Sequence, residues 1–303
     1  MFDIKIGTLI PADCSVKMIP QLNPHGFECY ELNFSQELAL TDLKEFSKHV
    51  HDVLDGRSVS ALGFYGNPIE NQNDLKCVEN LIDSAHLFGC DRIGVFAGGL
   101  SDKNVPDTMP SFVKVFEPLA KRAEACGIKI GFENCPMCVE GNGWNGCSGA
   151  NLAFCPEAWE MIFNAIPSDS LGLEWEPCHA VVQLMDPIAQ LRKWADKIVH
   201  VHGKDATVAW DIIREFGVRG IHTYSWNRTP GFGDTNWADI ATVLLQNGYK
   251  GSIDIEGYHD PVHYDDMEWT SQITALNYLK RCRGGIEFVE GPEEYRGYQG
   301  KRH

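Results

Sequence analysis

Apolar residues follow two alternating patterns along most of the chain. Eight short runs rich in β-branched and aromatic residues have the length and composition of buried strands. These runs are Phe2–Ile10, Phe27–Phe34, Ser58–Tyr65, Arg92–Ala97, Ile128–Glu133, Leu171–Glu176, Ile198–Asp205 and Gly251–Glu256. Between most of them, apolar residues recur three and four positions apart, as in helices that bury one face.

The predicted helices are long enough to cover the strands that they connect. They comprise an apolar stripe from Leu40 to Val53 and the segments Asp74–Phe88, Ser111–Cys126, Pro156–Ile166, Pro187–Ala195, Trp237–Gln246 and Trp269–Arg281. Eight strand–helix units in roughly 280 residues are typical of an α/β fold, the single (β/α)8 TIM barrel. We predict one domain over residues 1–303, with a C-terminal tail at 283–303.

Two long loops interrupt the repeat, at Pro136–Cys155 and Ala206–Asn236. Both follow the carboxyl ends of predicted strands, the face at which barrel enzymes place their active sites. We therefore expect these extended loops to cover a functional site.

Composition narrows the possible functions. The formal net charge of −16 argues against a nucleic acid or an anionic membrane surface as the main partner. No run of about 18 apolar residues is present to span a bilayer, and the first residues lack the features of a signal peptide. We expect a cytoplasmic protein that acts on a small molecule.

Eleven cysteines, an odd number, indicate free thiols rather than a disulfide framework. Four of them, Cys135, Cys138, Cys147 and Cys155, lie close enough in sequence to suggest a structural zinc site. Only the first pair has the Cys-x-x-Cys spacing of a zinc knuckle. The spacing therefore does not favour zinc at these four residues.

Acidic residues and a histidine mark the ends of four consecutive predicted strands. Glu133, Glu176 and Glu256 end the fifth, sixth and eighth strands, and His202 lies near the end of the seventh. Because the strands of a barrel end at one rim, these side chains should converge there. Carboxylate and imidazole ligands suit Mn²⁺, Mg²⁺, Co²⁺ or Fe²⁺. We predict one divalent metal ion, with Mn²⁺ as the first choice and Zn²⁺ as a further alternative.

Five further residues are candidates for substrate binding: Tyr65, Asn67, His179, Lys204 and Arg228. His179 should point into the same barrel mouth as the predicted metal ligands. Lys204 and Arg228 can hold a polar or anionic substrate group. Tyr65 and Asn67 can either bind hydroxyl groups or shape the turn that follows the third strand.

Several segments of the chain carry motifs of a known family. They are ALGFYGNP at Ala61–Pro68, VFAGG at Val95–Gly99, GFENCP at Gly131–Pro136, EPCH at Glu176–His179, HVHGKD at His200–Asp205, RTPGFGDTNW at Arg228–Trp237 and GYKGSIDIE at Gly248–Glu256. Together they resemble the sugar phosphate isomerase/epimerase family, a xylose-isomerase-like barrel group that includes ketose 3-epimerases and enzymes of inositol catabolism. The match runs from the third to the eighth predicted strand.

The resemblance implies a role for each residue at a matching position. Glu133, Glu176, His202 and Glu256 would bind the metal, while Glu133 and Glu256 would also exchange protons with a substrate carbon. His179, at its own matching position, would hold a substrate oxygen.

Arg228 would likewise hold a substrate oxygen. The family usually has aspartate where Glu176 stands, which makes Glu176 the metal ligand that departs from the pattern. Glu174, one pleat earlier on the same face of the strand, is the alternative.

The predicted reaction starts with a substrate carbonyl and its neighbouring hydroxyl on the metal ion, which stabilises an enediolate. One carboxylate takes the proton next to the carbonyl, and a second carboxylate returns it. Return to the opposite face of the same carbon gives epimerisation, and return to the other carbon gives isomerisation. We predict an epimerase or isomerase of a keto-sugar, cyclitol or sugar derivative.

Three alternatives stay open. Loss of a β-substituent from the same intermediate would make the protein a lyase or dehydratase for a 3-keto-glycoside or a keto-inositol. An AP endonuclease-like enzyme needs further histidines at earlier strand ends, where Tyr65 and Ala97 stand instead. A non-catalytic carbohydrate-binding protein would not need the metal. We also predict a homo-oligomer, either a dimer or a tetramer.

Overall fold

The computed structural model describes residues 2–101, 103–137, 149–291 and 293. Within these ranges, eight parallel strands form a closed barrel, which confirms the predicted (β/α)8 fold. The strands in chain order are β1 (Lys5–Pro11), β2 (Cys29–Asn33), β3 (Ser58–Phe64), β4 (Arg92–Val95), β5 (Lys129–Glu133), β6 (Leu171–Trp175), β7 (Ile198–Gly203), β8 (Asp205–Val208), β9 (Ser225–Arg228) and β10 (Ser252–Ile255). The barrel order is β1-β10-β7-β6-β5-β4-β3-β2, and β8 and β9 form a separate antiparallel pair.

Helices surround the barrel and supply its outer layer. They are α1 (Ser15–Leu22), α2 (Gln36–Ala39), α3 (Lys44–Val53), α4 (Gln72–Ser84), α5 (Val105–Cys126), α6 (Pro156–Ala165), α7 (Pro177–Val182), α8 (Pro187–Trp194), α9 (Trp210–Phe216), α10 (Trp237–Gln246) and α11 (Asp266–Cys282). Across the described ranges, no helix combines the length and apolarity that a membrane span requires.

Some helices differ from their predicted bounds. The helix predicted to start at Ser111 begins at Val105, because Asn104 caps it by accepting a hydrogen bond from the Asp107 backbone N–H at 2.8 Å. Pro106 lies in the first turn, where its missing N–H leaves no helical hydrogen bond unmade. The helices α1, α7 and α9 have only six to eight residues, too few for a clear apolar period.

The layer between helices and barrel is apolar and rich in aromatic rings. Phe112 and Phe116 of α5 stack at a centroid distance of 4.8 Å, and Phe116 meets the edge of Phe132 on β5 at 5.0 Å. All three rings are fully buried. Burial of this apolar surface holds the helices against the strands.

The inside of the barrel is filled by acidic side chains that occupy space left by glycines. A Cβ atom built on each of three strand glycines would overlap a facing carboxylate, in the pairs Gly7 with Asp254, Gly63 with Glu31 and Gly94 with Glu174. The separations would be 2.0, 2.7 and 2.2 Å, which are shorter than any contact that carbon tolerates. These glycines therefore make room for carboxylates in the barrel.

The N-terminal end of the barrel is closed by Arg283, the first residue of the predicted tail. Its guanidinium donates to the Ile4 carbonyl oxygen at 2.6 Å and forms a two-point ion pair with Glu28. Arg283 is buried, so the chain still packs against the barrel as far as this residue. Position 292 and residues 294–303 of the tail lie outside the described residues.

The second predicted loop contains the β8–β9 pair and α9, all on the carboxyl side of the barrel. Asp205 begins β8 and orders the end of this loop by accepting hydrogen bonds from the backbone N–H groups of Gly231 (3.3 Å) and Thr235 (3.0 Å) and from the Trp237 indole (3.2 Å). In the first predicted loop, residues 138–148, including Cys138 and Cys147 of the considered zinc site, lie outside the described residues.

We expect Gly94→Ala to destabilise the protein by about 1–3 kcal/mol, because the new methyl group would collide with the Glu174 carboxylate. Urea denaturation followed by circular dichroism measures the effect. The same substitution should cost clearly less in a Glu174→Ala background, where the collision partner is absent. Equal costs in both backgrounds would contradict this explanation of the glycine.

Candidate metal centre

The four predicted metal ligands meet at the carboxyl end of the barrel. Glu133, Glu176, His202 and Glu256 each offer a donor atom, and these atoms all lie within 4.8 Å of one another. His202 Nδ1 is 3.3 Å from an oxygen of Glu176 and 3.3 Å from Glu256 Oε2. The barrel thus gathers three carboxylates and one imidazole nitrogen around a single point.

Lys204, which directly follows β7, contacts the same group near the end of β10. Its ammonium nitrogen lies 2.8 Å from Glu256 Oε1 and 3.6 Å from Glu176 Oε1, and the side chain is almost fully buried. Burial would lower the pKa of Lys204, but the carboxylates of Glu176 and Glu256 outweigh it and raise the pKa well above the usual value. Lys204 is therefore a fixed positive charge beside the cluster.

His179 lies on the other side of the cluster, in the first turn of α7. Because Pro177 starts α7 directly after Glu176, the helix turns the imidazole back toward the barrel mouth. His179 Nε2 is 3.2 Å from Glu176 Oε1 and 3.3 Å from Glu133 Oε1. Its placement in the mouth agrees with the position expected from the sequence.

A second polar layer lies one pleat deeper in the barrel. Glu174, His200 and Asp254 each precede an upper-layer residue by two positions, so their side chains point to the same face of their strands. His200 contacts Glu174 through Nδ1 at 2.7 Å and Asp254 through Nε2 at 2.6 Å. Both ring nitrogens are thus engaged by carboxylates.

The sequence contains a signal for this deeper layer, although only Glu174 was predicted from it, as an alternative metal ligand. The patterns Glu174-x-Glu176, His200-x-His202 and Asp254-x-Glu256 repeat with the period of a strand. Glu31 had no such signal, because it lies within β2 rather than at a strand end.

His202 connects the two layers through its two ring nitrogens. Nδ1 faces the upper carboxylates, while Nε2 lies 2.9 Å from Glu31 Oε2 in the deeper layer. The tautomer with a proton on Nε2 donates to Glu31 and leaves the Nδ1 lone pair free for a cation. Glu31 therefore orients His202 and fixes the nitrogen that faces the centre.

The Tyr65 hydroxyl lies in the deeper layer. Its oxygen is 2.7 Å from Glu31 Oε1, 2.9 Å from Glu174 Oε2 and 3.2 Å from His202 Nε2. These contacts hold the hydroxyl beneath the predicted metal ligands, at the bottom of the mouth.

Asn67 and Arg228 lie in loops above the barrel. The Asn67 amide donates to the Gly99 carbonyl oxygen and accepts from nearby backbone N–H groups. Of the two roles predicted for Asn67, these contacts favour shaping the turn. Arg228 Nε donates to Asp260 Oδ2 at 3.4 Å. Asp260 also accepts from the Thr229 backbone N–H at 2.8 Å, so it joins the Arg228 loop to the loop that follows β10.

Burial and neighbouring charge divide the carboxyl groups into two kinds. Burial raises the pKa of Glu133 to about 8, and the charges of Glu176 and Glu256 add to this effect. For Glu176, burial also acts to raise the pKa, but the charges of His179 and Lys204 outweigh it and hold the pKa well below its usual range. Glu133 thus keeps its proton to a higher pH than Glu176 does.

The charge balance of the two layers fits a divalent cation. Six carboxyl groups face four groups that can carry positive charge, so at least two negative charges remain without a cationic partner when all six carboxyl groups are ionised. The carboxyl groups are Glu31, Glu133, Glu174, Glu176, Asp254 and Glu256, and the basic groups are His179, His200, His202 and Lys204. One divalent cation offsets two of these negative charges. When no cation is bound, protons retained on carboxyl groups offset them instead. Among the described residues, Glu256 Oε2 is buried without a hydrogen-bond partner, as expected of an atom that faces a cation.

Comparison with known proteins agrees with the fold. Residues 20–282 match the family described as xylose isomerase-like TIM barrel. The chain is 15% identical to the crystal structure of 3-keto-D-glucoside 4-epimerase YcjR from E. coli, with a TM-score of 0.69 over 92% of this chain and 100% of that chain. At this identity, the likeness shows a shared fold.

Two curated sequences are more similar in sequence. The uncharacterized protein YfiH of Bacillus subtilis is 27% identical over 252 residues, which cover 70% of this chain and 74% of YfiH. Inosose dehydratase of Clostridium tetani is also 27% identical, but over only 113 residues, or 36% of this chain and 37% of that enzyme.

We expect Glu31→Leu to weaken Mn²⁺ binding by about 10–100-fold, because His202 loses the acceptor that orients it. Glu31→Gln keeps an acceptor oxygen and should bind Mn²⁺ more nearly as the wild type does. Isothermal titration calorimetry of the purified proteins gives both affinities. Equal affinities for the wild type and Glu31→Leu would contradict the orienting role.

We expect cation binding to strengthen as the pH rises toward about 8, because the ion must displace the proton on Glu133. Calorimetry in buffers of different ionisation enthalpy should show about one fewer proton released by Glu133→Gln than by the wild type.

The same proton affects the cation-free protein. Because the pKa of Glu133 is raised from its ordinary value of 4.5 to about 8, the native state binds more protons than the unfolded state between these values. The free energy of unfolding should therefore fall as the pH rises through this range. A wild-type profile with the same slope as that of Glu133→Gln would contradict the assignment.

Proposed function

Because the chain belongs to the xylose isomerase-like TIM barrel family, we propose that it is a divalent-metal-dependent epimerase or isomerase of a keto-sugar, cyclitol or sugar derivative. The observation that carries the proposal is the convergence of Glu133, Glu176, His202 and Glu256 at the mouth of the barrel. These residues would hold the metal ion, with Mn²⁺ as the first choice. When bound, the ion supplies a Lewis acid for a substrate carbonyl and its neighbouring hydroxyl.

Glu133 and Glu256 are the proposed proton-transfer groups. Glu133 ends β5 and Glu256 directly follows β10, and these strands are separated in the barrel by β6 and β7, so the two carboxylates flank the centre of the mouth. A pKa of about 8 suits Glu133 to exchange a proton near neutral pH, because a catalytic acid or base works best with a pKa near the operating pH. Glu256, held in its charged form by Lys204, would act on the other face.

The remaining polar groups would bind substrate oxygens. His179 and Lys204 lie beside the metal ligands, and Arg228 lies in the loop above them, joined to Asp260. Tyr65 would support the metal ligands from below, and Asn67 would shape the loop after β3. These positions suit a small polyhydroxylated substrate, which offers oxygen atoms on several sides.

A dehydratase is the second candidate function, favoured by the sequence similarity to inosose dehydratase. It would use the same first step, proton removal next to a carbonyl. The two reactions diverge afterwards, when the intermediate either regains a proton or loses a β-hydroxyl group as water. The same residues therefore serve both proposals, and the products distinguish them.

We further propose that the enzyme works in the cytoplasm as a homo-oligomer, a dimer or a tetramer. Eight of the described cysteines carry free thiols, namely Cys14, Cys29, Cys77, Cys90, Cys126, Cys135, Cys178 and Cys282, which supports a reducing compartment. Closed homo-oligomers are the commonest assembly of such enzymes, and light scattering of the purified protein would give the number of chains.

The test is incubation of the Mn²⁺-loaded protein in D₂O with 3-keto-glucosides, inososes and ketohexoses, followed by NMR. Deuterium next to the carbonyl with a new epimer or isomer would support the first candidate, and an unsaturated or diketo product would support the dehydratase. We expect Glu133→Gln and Glu256→Gln to lower the exchange rate by about 10²–10⁴-fold, whereas Glu157→Gln, on the exposed face of α6, should react as the wild type does. No exchange and no elimination with any of these compounds would contradict both proposals.

A further inference from the structure

Two thiol groups lie beside His179, next to the proposed metal centre but outside its ligand set. Cys135 follows Glu133 by two residues, and its sulfur lies with Glu133 and His179 donor atoms in a group whose members are all within 4.8 Å. Cys178 precedes His179 in α7, and its sulfur is 3.5 Å from His179 Nδ1. The proposed reaction uses neither thiol.

The donor atoms around His179 have the spacing of ligands on one ion. Two ligands of a tetrahedral zinc ion, each about 2.0 Å from the metal, lie about 3.3 Å apart. His179 Nε2 is 3.3 Å from Glu133 Oε1 and 3.2 Å from Glu176 Oε1. The His179 nitrogen and the Glu133 oxygen are thus as close as two ligands of one zinc ion, and the Cys135 sulfur lies within 4.8 Å of both.

We propose that Cys135, His179 and Glu133 form a second cation site, selective for a thiophilic divalent ion such as Zn²⁺. The Cys135 thiol would release its proton to solvent and bind the ion as thiolate. Thiolate ligands favour Zn²⁺ over Mn²⁺ and Mg²⁺, which prefer oxygen. Glu133 would then be a ligand of both sites, and the two sites would lie next to each other.

The two thiols differ in their surroundings, and the difference assigns the ligand role to Cys135. Cys178 is buried, and its thiol donates to Glu176 Oε1 at 2.8 Å. Cys135 is partly exposed at the barrel mouth, where an ion from solvent can reach it. Cys178 would therefore keep Glu176 in place, and Cys135 would bind the metal.

Occupation of this site has a consequence for the proposed reaction. A zinc ion on His179 removes the imidazole from substrate binding and draws Glu133 away from proton transfer. Excess Zn²⁺ should thus inhibit the Mn²⁺-loaded wild type and should inhibit Cys135→Ser much less. The existence of the site does not depend on the reaction, because it follows from the donor atoms alone.

The experiment is a titration of the metal-free protein with Co²⁺, a spectroscopic substitute for Zn²⁺, followed by ultraviolet and visible absorption. Thiolate ligation gives an intense charge-transfer band, which carboxylate and imidazole ligands do not. We expect the band in the wild type and in Cys126→Ser, whose thiol is exposed at the end of α5. Cys135→Ser should lose the band and bind Zn²⁺ at this site at least about 100-fold more weakly, since even an outer-shell change costs 10–100-fold.

A further variant separates the two sites. Glu256 belongs to the proposed metal centre alone, so Glu256→Gln should keep the thiolate band while it loses the other cation. Loss of the band in Glu256→Gln would overturn the proposal of two sites. No thiolate band in the wild type, or a band that survives Cys135→Ser and disappears in Cys178→Ser, would overturn the site or its assignment to Cys135. Circular dichroism of each variant verifies that it is folded.

Discussion

The burial of charge inside the barrel is the constraint on which the rest of this structure depends. Carboxylates that leave water lose a large solvation energy unless cations or hydrogen bonds replace it. Here Glu174 and Asp254 lie on either side of His200. Burial lowers the pKa of His200, but the charge of Glu31 and the contacts with Asp254 and Glu174 outweigh it and raise the pKa to about 9. The imidazole thus stays charged between two carboxylates, and this ion-paired group supports the layer above.

The upper layer depends on the deeper layer through His202. The ring is held from below by Glu31 and faces the upper carboxylates with its other nitrogen. The deeper layer therefore sets the orientation of His202, the residue that faces the upper carboxylates. The strand glycines belong to the same arrangement, since Gly94 leaves the volume that Glu174 fills.

The loops above the barrel use carboxylates in another way. Asp205 and Asp260 accept several backbone N–H groups each, and so they join loop segments that are distant in sequence. Asp260 also holds Arg228 at the mouth. The mouth therefore combines a charged layer inside the barrel with loops that are fixed at a few points. Because loops vary more than the strands that carry them, barrels with a similar inner layer can act on different substrates.

The sequence alone determined the barrel and the upper site. The alternation of strand and helix patterns sets the fold, and parallel strands must end at one rim, so Glu133, Glu176, His202 and Glu256 were predictable from their positions at strand ends. The tertiary structure decided the partners of these residues. Whether Lys204 pairs with Glu256, and whether the Tyr65 hydroxyl contacts Glu174, depends on side-chain directions and strand register across distant segments. Glu31 shows the limit most clearly, because its contact with His202 joins residues 171 positions apart that no local pattern relates.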